Sequence, residues 1–272
     1  MKTIGSTIIM LALASSLFAD NGKELKLASP DGTHEIVFYQ KQVSPAVNEL
    51  CYRVDYKSQP VVNESRAGLE LDNRIWEMAL GVRNLKQPAC WMDNLEVDSV
   101  TYQPETNLTW QPLYGERSSV RDHYRAGTLC LSKKDNSGYR LNIEVRAYNE
   151  GVAFRYFFPE HPKAIFHKVV GDLTEYALPA GTKAWTEQWA QAFFERLNID
   201  DIKHPVERAL TFELPNGKWA ALADADVDDW CLTKYLVSTD KKNTLTSVMY
   251  SPVDVVTYYA TPWKIVMAAD KP

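Results

Sequence analysis

The chain has 272 residues, with 35 acidic against 30 basic side chains and a formal net charge of −5. That balance excludes an electrostatic nucleic-acid footprint, and the length suffices for one large domain or two small ones with a sizeable core. Four cysteines, Cys51, Cys90, Cys130 and Cys231, have no C-x-x-C spacing, so neither a zinc site nor a dithiol redox site is indicated.

The first residues have the pattern of an export signal. Lys2 gives a short positive region, residues 8–13 are apolar, and Leu17-Phe18-Ala19 offers a cleavage point before Asp20. Residues 1–19 are therefore expected to be a signal peptide, with the periplasm as destination. A cut after Ser16 stays open, because Leu17 is not the small residue preferred there. The apolar stretch falls short of the ~18 residues that a spanning helix requires, so no membrane span is expected. The first cysteine lies far beyond the signal, which argues against a lipid anchor. In an oxidising compartment, one or two disulfides and isolated buried thiols both fit the cysteine count.

From there the dominant period is two. Strands are expected at residues 35–40, 51–56, 97–102 and 128–131. The clearest alternation follows Asp135-Asn136-Ser137-Gly138: Leu141, Ile143, Val145 and Ala147 share one face, while Arg140, Asn142, Glu144 and Arg146 share the other. Asn149-Glu150-Gly151 turns the chain into a second strand, 152–158. Trp185, Trp189, Ala192 and Phe193 have helical spacing, although Gly181 and Pro205 on either side fit a packed loop equally well. Pro215-Asn216-Gly217-Lys218 marks another hairpin, between 209–214 and 219–223. Further strands are expected at 246–250 and 255–259. Residues 265–268 form an apolar run of the kind buried on both faces. No fixed-period repeat or flexible linker interrupts this pattern, and the expected fold is mainly β, one large antiparallel β-sandwich.

Familiar catalytic signatures are absent: no G-x-S-x-G elbow, no H-E-x-x-H, no phosphate-cradling glycine loop and no dinucleotide fingerprint. Asp224-Ala225-Asp226-Val227-Asp228-Asp229 opens like an EF-hand loop. Its sixth position is Asp229 in place of glycine and its twelfth is Tyr235 in place of glutamate, so the bland reading, a solvated strand face, is preferred. The stretch from Ala184 to Arg196 mixes Trp185, Trp189, Phe193 and Phe194 with Glu187, Glu195, amides and an arginine. Sugars are bound by such mixtures, their C–H faces on rings and their hydroxyls on carboxylates and amides. Burial of the same rings in the core accounts for them equally well.

Several segments, taken in order, resemble the N-terminal domain of glycoside hydrolase family 97, bacterial calcium-dependent α-glucosidases and α-galactosidases of polysaccharide utilisation. They are Leu27-Ala28-Ser29-Pro30-Asp31-Gly32, Arg66-Ala67-Gly68-Leu69-Glu70-Leu71, Trp110-Gln111-Pro112-Leu113-Tyr114-Gly115-Glu116 with Arg121-Asp122-His123-Tyr124, Tyr148-Asn149-Glu150-Gly151-Val152-Ala153-Phe154-Arg155-Tyr156, and Thr261-Pro262-Trp263-Lys264. The resemblance implies a β-supersandwich like that of galactose mutarotase over residues 20–272. In the family a catalytic (β/α)8 barrel follows, and this chain is expected to lack it. The paired carboxylates of glycoside hydrolysis would then lie elsewhere, leaving no catalytic residue here. The family also implies that one glutamate of this domain reaches the barrel's calcium. Phe194-Glu195 matches that position best and Glu187 second. The sequence departs from the family at Asp224, where glutamate is usual, and at Lys264, where arginine is common.

These readings lead to a carbohydrate-binding N-terminal domain of a family 97 α-glycosidase, from a truncated or split gene and without hydrolytic activity alone. Trp185, Glu187, Trp189 and Glu195 are its carbohydrate-facing candidates, and α-linked glucose- or galactose-containing saccharides its expected ligands. Glu195 would serve calcium only with a complementing barrel. Two alternatives remain: one chain of an active enzyme completed by a separate barrel polypeptide, and a structural or partner-binding sandwich with no sugar site. Mutarotase-like catalysis by His123, His167 and Glu195 is weaker still, since nothing in their spacing pairs them. The aromatic segment and the chain around Trp263 are expected to form an exposed apolar face.

Overall fold

The computed structural model describes residues 23–72, 74, 91–135 and 137–272. The signal-peptide expectation over residues 1–19, and Cys90, fall outside the described residues. Among the described residues no helix is long and apolar enough to cross a membrane.

Among the described residues every strand pairing is antiparallel, and the strands form three sheets. A seven-stranded sheet runs β1 (Glu24–Ala28), β2 (His34–Ser44), β3 (Val47–Tyr56), β4 (Gln59–Arg66), β11 (Glu175–Ala177), β17 (Thr244–Met249) and β16 (Thr233–Val237). A ten-stranded sheet runs β13 (Glu195–Asn198), β12 (Lys183–Thr186), β14 (Leu210–Glu213), β15 (Trp219–Ala225), β20 (Trp263–Ala269), β9 (Gly151–Phe158), β8 (Arg140–Tyr148), β7 (Val120–Ser132) and β6 (Glu96–Trp110), with β19 (Tyr259–Ala260) beside β9. A small third sheet, β18 (Val253–Val256), β10 (Phe166–Asp172) and β5 (Leu69–Leu71), closes one flank. The expected antiparallel β-sandwich is the fold.

Alternation positions the core. On β8, Leu141, Ile143, Val145 and Ala147 are buried while the residues between them are not, and Ala147 pairs with Val152 across the expected hairpin. The two large sheets meet through aromatic rings. Phe38 of β2 lies edge-on to Phe154 of β9 at 5.1 Å, and Tyr52 of β3 contacts Phe154 at 5.0 Å. Such pairs add to the burial of apolar area itself. The hairpin of β14 and β15 turns on Gly217, whose φ of 80° lies where glycine is at ease, while the Lys218 amide donates to Asn216 Oδ1 at 3.1 Å.

Two expectations fail instructively. Residues 265–268 are not buried on both faces: Val266 and Ala268 enter the core, whereas Met267 keeps 37% of its surface exposed. β6 is far longer than residues 97–102, because its outer half is the exposed margin of the sheet and its polar residues show no alternation. Pro104 sits in the register irregularity between Gln103 and Thr106, as an edge strand permits. Cys51, Cys130 and Cys231 are free thiols, so none of these three joins another. Burial pushes the Cys51 thiol up to about 11, which keeps it inert at neutral pH.

Charge is buried where the sheets join. The Lys264 ammonium of β20 donates to Asp172 of β10. Nearby, Asp224 of β15 accepts from Arg208 at 2.6 Å and from the Thr233 hydroxyl of β16 at 2.9 Å. Asp224 is thus a buried ion-pair partner, which corrects its assignment to a solvated face; Asp226 alone of the first two aspartates is exposed. Burial by itself would lower the Lys264 pKa, but the carboxylates of Asp172 and Asp224 outweigh it and raise it. A cation with a raised pKa contributes fully below the ordinary lysine value and loses that contribution as pH climbs through the raised one. Lys264→Met is expected to cost about 3–5 kcal/mol at neutral pH, because it strands a buried carboxylate. Adding Asp172→Asn should recover part of that loss in urea melts.

His167 of β10 is enclosed by Phe158 at 4.9 Å, Trp91 at 5.4 Å and Tyr139 at 5.9 Å. Burial drives its pKa down from 6.5 to about 4, against a smaller upward pull from the Ala164 backbone. The unfolded chain therefore takes up this proton first as pH falls, and stability drops between pH 6.5 and 4. The loss is on the order of 3 kcal/mol. Denaturant titrations across that window should show the slope, and His167→Phe should flatten it.

Candidate functional site

The outward face of the large sheet carries two clusters of aromatic and charged groups. The first lies on β12 and its neighbours. Ala184 and Thr186 point inward, so Trp185 points out, where 38% of it is exposed. Its partner across the ladder is Arg196 of β13, and Glu213 of β14 binds both. The indole Nε1 and the Arg196 Nε each donate to Glu213 Oε1 at 2.8 Å. The Arg196 hydrogen bond, joined by that from Trp185, pulls the Glu213 carboxyl down to about 2. The result is an indole pinned by its polar edge beside an ion pair.

Glu195 does not join this cluster. It pairs with Thr186 while Trp185 pairs with Arg196, and successive residues on a strand face opposite ways. Glu195 instead borders a hollow of about 200 Å³ with Gln188, Phe193, Leu197 and His204. The helical spacing of Trp185, Trp189, Ala192 and Phe193 produces no helix: β12 ends at Thr186, and an irregular loop leads to β13. The buried Lys234 fixes that loop. Its ammonium donates to the Gln188 carbonyl at 2.8 Å, pairs with Glu207 at 2.7 Å and lies 5.7 Å from the Trp189 ring. The Glu187 carbonyl accepts the Glu207 amide at 2.9 Å, while Trp189 is 59% exposed.

Calcium takes six to eight oxygen ligands. Among the described residues, no three His, Cys, Asp or Glu side chains converge on a common point. Glu195 offers one carboxylate and no more, so these residues do not complete a calcium site. His167 lies in the aromatic core and His123 binds Glu105 at 2.7 Å. Neither is placed with Glu195 as an acid–base pair facing a sugar.

The second cluster was not legible as a site. Arg155 of β9 lies over the Trp263 ring at 4.4 Å, and Arg146 of β8 lies over the same ring at 4.7 Å and over Tyr124 of β7 at 4.7 Å. Trp263 is consequently only 9% exposed, so the expected exposed face around it is covered by guanidinium groups. Tyr124 in turn meets Tyr148 at 5.0 Å. The two arginines differ in their partners. Arg155 pairs with Glu144 at 2.7 Å and Asp226 at 3.3 Å, whereas Arg146 contacts the Tyr148 hydroxyl at 3.4 Å. The sequence placed Arg146 on one face of β8 with Arg140, Asn142 and Glu144, and nothing in that pattern brought it together with Trp263 and Tyr124.

The fold is a large antiparallel sandwich whose ten-stranded sheet carries these two clusters on its open face. A family profile described as Glycosyl-hydrolase 97 N-terminal matches residues 27–272. The chain belongs to that family. A retaining alpha-galactosidase of Bacteroides thetaiotaomicron is 23% identical over 263 residues, covering 90% of this chain and 35% of the relative. A family 97 enzyme from a Pseudoalteromonas species, solved with panose and with acarbose, superposes with a TM-score of 0.77 at 21% identity over 91% of this chain and 36% of its own. A beta-arabinopyranosidase superposes with a TM-score of 0.74 at 16% identity, over 91% of this chain and 40% of its own. The chain thus spans little more than a third of the proteins it matches.

Glu213→Gln tests the first cluster. It should shift Trp185 emission to the red and raise its quenching by acrylamide, because the ionised acceptor that orients both the indole and Arg196 is lost. Unchanged emission would show that the ring is held by packing alone.

Proposed function

We propose that this chain is the carbohydrate-binding N-terminal domain of a family 97 α-glycosidase, exported to the periplasm and without hydrolytic activity of its own. The observation that carries the reading is the open face at Trp185, an indole oriented by Glu213 with Arg196 beside it. Exposed rings flanked by fixed hydrogen-bonding groups suit the C–H faces and hydroxyls of sugars. Relatives solved with panose and acarbose, and one named an alpha-galactosidase, favour α-linked glucose or galactose units as ligands. The match is to the family's N-terminal domain.

A second reading has its own support. Ile265 and Met267 lie on the open face beside Ala153 and Ala225, around a hollow of about 360 Å³. Apolar residues there favour a covering partner, in this reading a separate barrel polypeptide that completes an α-glucosidase or α-galactosidase. Glu195 would then add one oxygen to the partner's calcium.

The purified chain should not hydrolyse aryl α-glucosides or α-galactosides, with or without calcium, and millimolar calcium should barely move its melting temperature. Turnover above a matched blank would overturn the non-catalytic reading. Maltotriose and an α-galactosyl trisaccharide should bind with millimolar affinity, and Trp185→Ala should weaken that binding about tenfold, a loss matched to one ring–sugar contact. If neither sugar binds and light scattering shows association instead, the partner-binding reading replaces the sugar site.

A further inference from the structure

The second cluster contains a charge imbalance at a single residue. On the outward face, Arg155 is neutralised by Glu144 and Asp226. Arg196 is neutralised by Glu213. Arg146 has no carboxylate within 4 Å among the described residues; Asp122 acts on it only from further away. Its guanidinium is nonetheless built in, held between the Trp263 and Tyr124 rings at 4.7 Å from each and touched by the Tyr148 hydroxyl at 3.4 Å. The two rings hold the guanidinium in place without using its N–H donors, and a guanidinium with donors to spare receives a planar carboxylate through two hydrogen bonds.

The space around it suits a saccharide. Arg146 borders two hollows at once. One, of about 730 Å³, is lined by polar groups including Gln103, Asn107 and Thr128. The other, of about 360 Å³, has a floor of Ala153, Ile265 and Met267. A single pyranose unit fits either volume, with hydroxyls toward the polar hollow and a C–H face on the apolar floor. Of the carboxylates bordering the two hollows, Glu144 and Glu105 are committed to Arg155, His123 and Arg125, while Glu150 stands at the rim of the apolar hollow and away from the polar one.

We propose that Arg146 anchors a saccharide site selective for uronic acid units, the guanidinium receiving the sugar carboxylate while Trp263 and Tyr124 hold it in place. The assignment rests on the carbohydrate-binding reading above and adds to it a ligand class and a second location. Arg155 does not share the role, because its hydrogen-bonding edge is filled.

The test is calorimetric titration of the chain with α-1,4-linked trigalacturonate, with maltotriose and with sodium acetate, in wild type, Arg146→Gln and Arg146→Lys. A charge-assisted hydrogen-bond pair gives roughly ten- to hundredfold in affinity, so trigalacturonate is expected to bind at least about tenfold more tightly than maltotriose. Both variants should lose that difference. Lysine keeps the charge but not the planar fork, and it tests the same point if the glutamine variant fails to fold. Trp185→Ala should leave trigalacturonate binding at Arg146 unchanged. Equal affinity for acidic and neutral trisaccharides would overturn the uronate assignment and leave the carbohydrate-binding reading standing; binding of neither would overturn both. Acetate competing as effectively as trigalacturonate at equal concentration would reduce the site to a simple anion contact and overturn the saccharide assignment.

Discussion

A buried ammonium holds this sandwich together at its most demanding point. Lys264 enters from the large sheet and meets Asp172 from the small one, while Asp224, Arg208 and Thr233 extend the polar cluster to the edge of the seven-stranded sheet. Two cations face two carboxylates, so the cluster is close to neutral, and neutrality is the condition under which burying charge is tolerable. Hydrophobic contact has little directionality and would let three sheets slide across one another. Paired charges do not, because each half-filled arrangement leaves an unsatisfied ion. The neighbouring Tyr156 adds to this constraint: its hydroxyl accepts the Gly68 amide at 2.7 Å and lies 2.7 Å from the Thr174 hydroxyl.

With the inner face fixed in this way, the outer face of the large sheet is free to specialise. A one-sided antiparallel sheet ordinarily shows water a uniformly polar surface. Here the outward residues of β20 include Trp263, Ile265 and Met267, and those of β15 include Ala221, Ala223 and Ala225. Small side chains on one strand beside large ones on the next leave a shallow trough. The rings at its margins are held by charge: Glu213 orients Trp185, and two guanidinium groups cover Trp263. Guanidinium planes stack on indoles while keeping their edges hydrated, and a large apolar ring can thereby sit on an open face without exposing much of itself.

The sequence made the sandwich legible because period-two alternation and turn chemistry act locally. Leu141 to Ala147 on β8 and the Pro215-Asn216-Gly217-Lys218 turn needed no knowledge of the rest of the chain. The misreadings arose where tertiary context decides. Met267 sits in an apolar run, yet its outward position is set by pairing with Ala221 across the sheet. The aromatic segment left helix and packed loop equally open, and Lys234, some forty residues further on, decides for the loop. Glu195 and Trp185 looked like members of one site because sequence distance says nothing of which side a strand presents. Arg146 and Glu213 were passed over for the opposite reason: on a strand, an outward charge is the commonest and least informative residue. Only its partners, or the lack of one, separate a solvated arginine from a receptor.

The spacing of the two clusters limits what can use them together. Trp185 lies on β12 and Arg146 on β8, five ladder steps away in the order β12, β14, β15, β20, β9, β8. At the usual inter-strand spacing that is roughly 24 Å, beyond the reach of a single sugar unit from one anchor to the other. A short saccharide therefore engages one cluster at a time, and the affinities at Trp185 and Arg146 should respond to substitution independently, as distant sites do. Only a long glycan or a folded partner laid along the trough could couple them. Coupling between substitutions at Trp185 and Arg146, measured with a trisaccharide and again with a polymer of the same linkage, distinguishes these occupants. Independence with the short ligand and coupling with the long one would mark a glycan track. Independence with both would leave two separate sites, with the Ala-lined trough between them free for a protein surface.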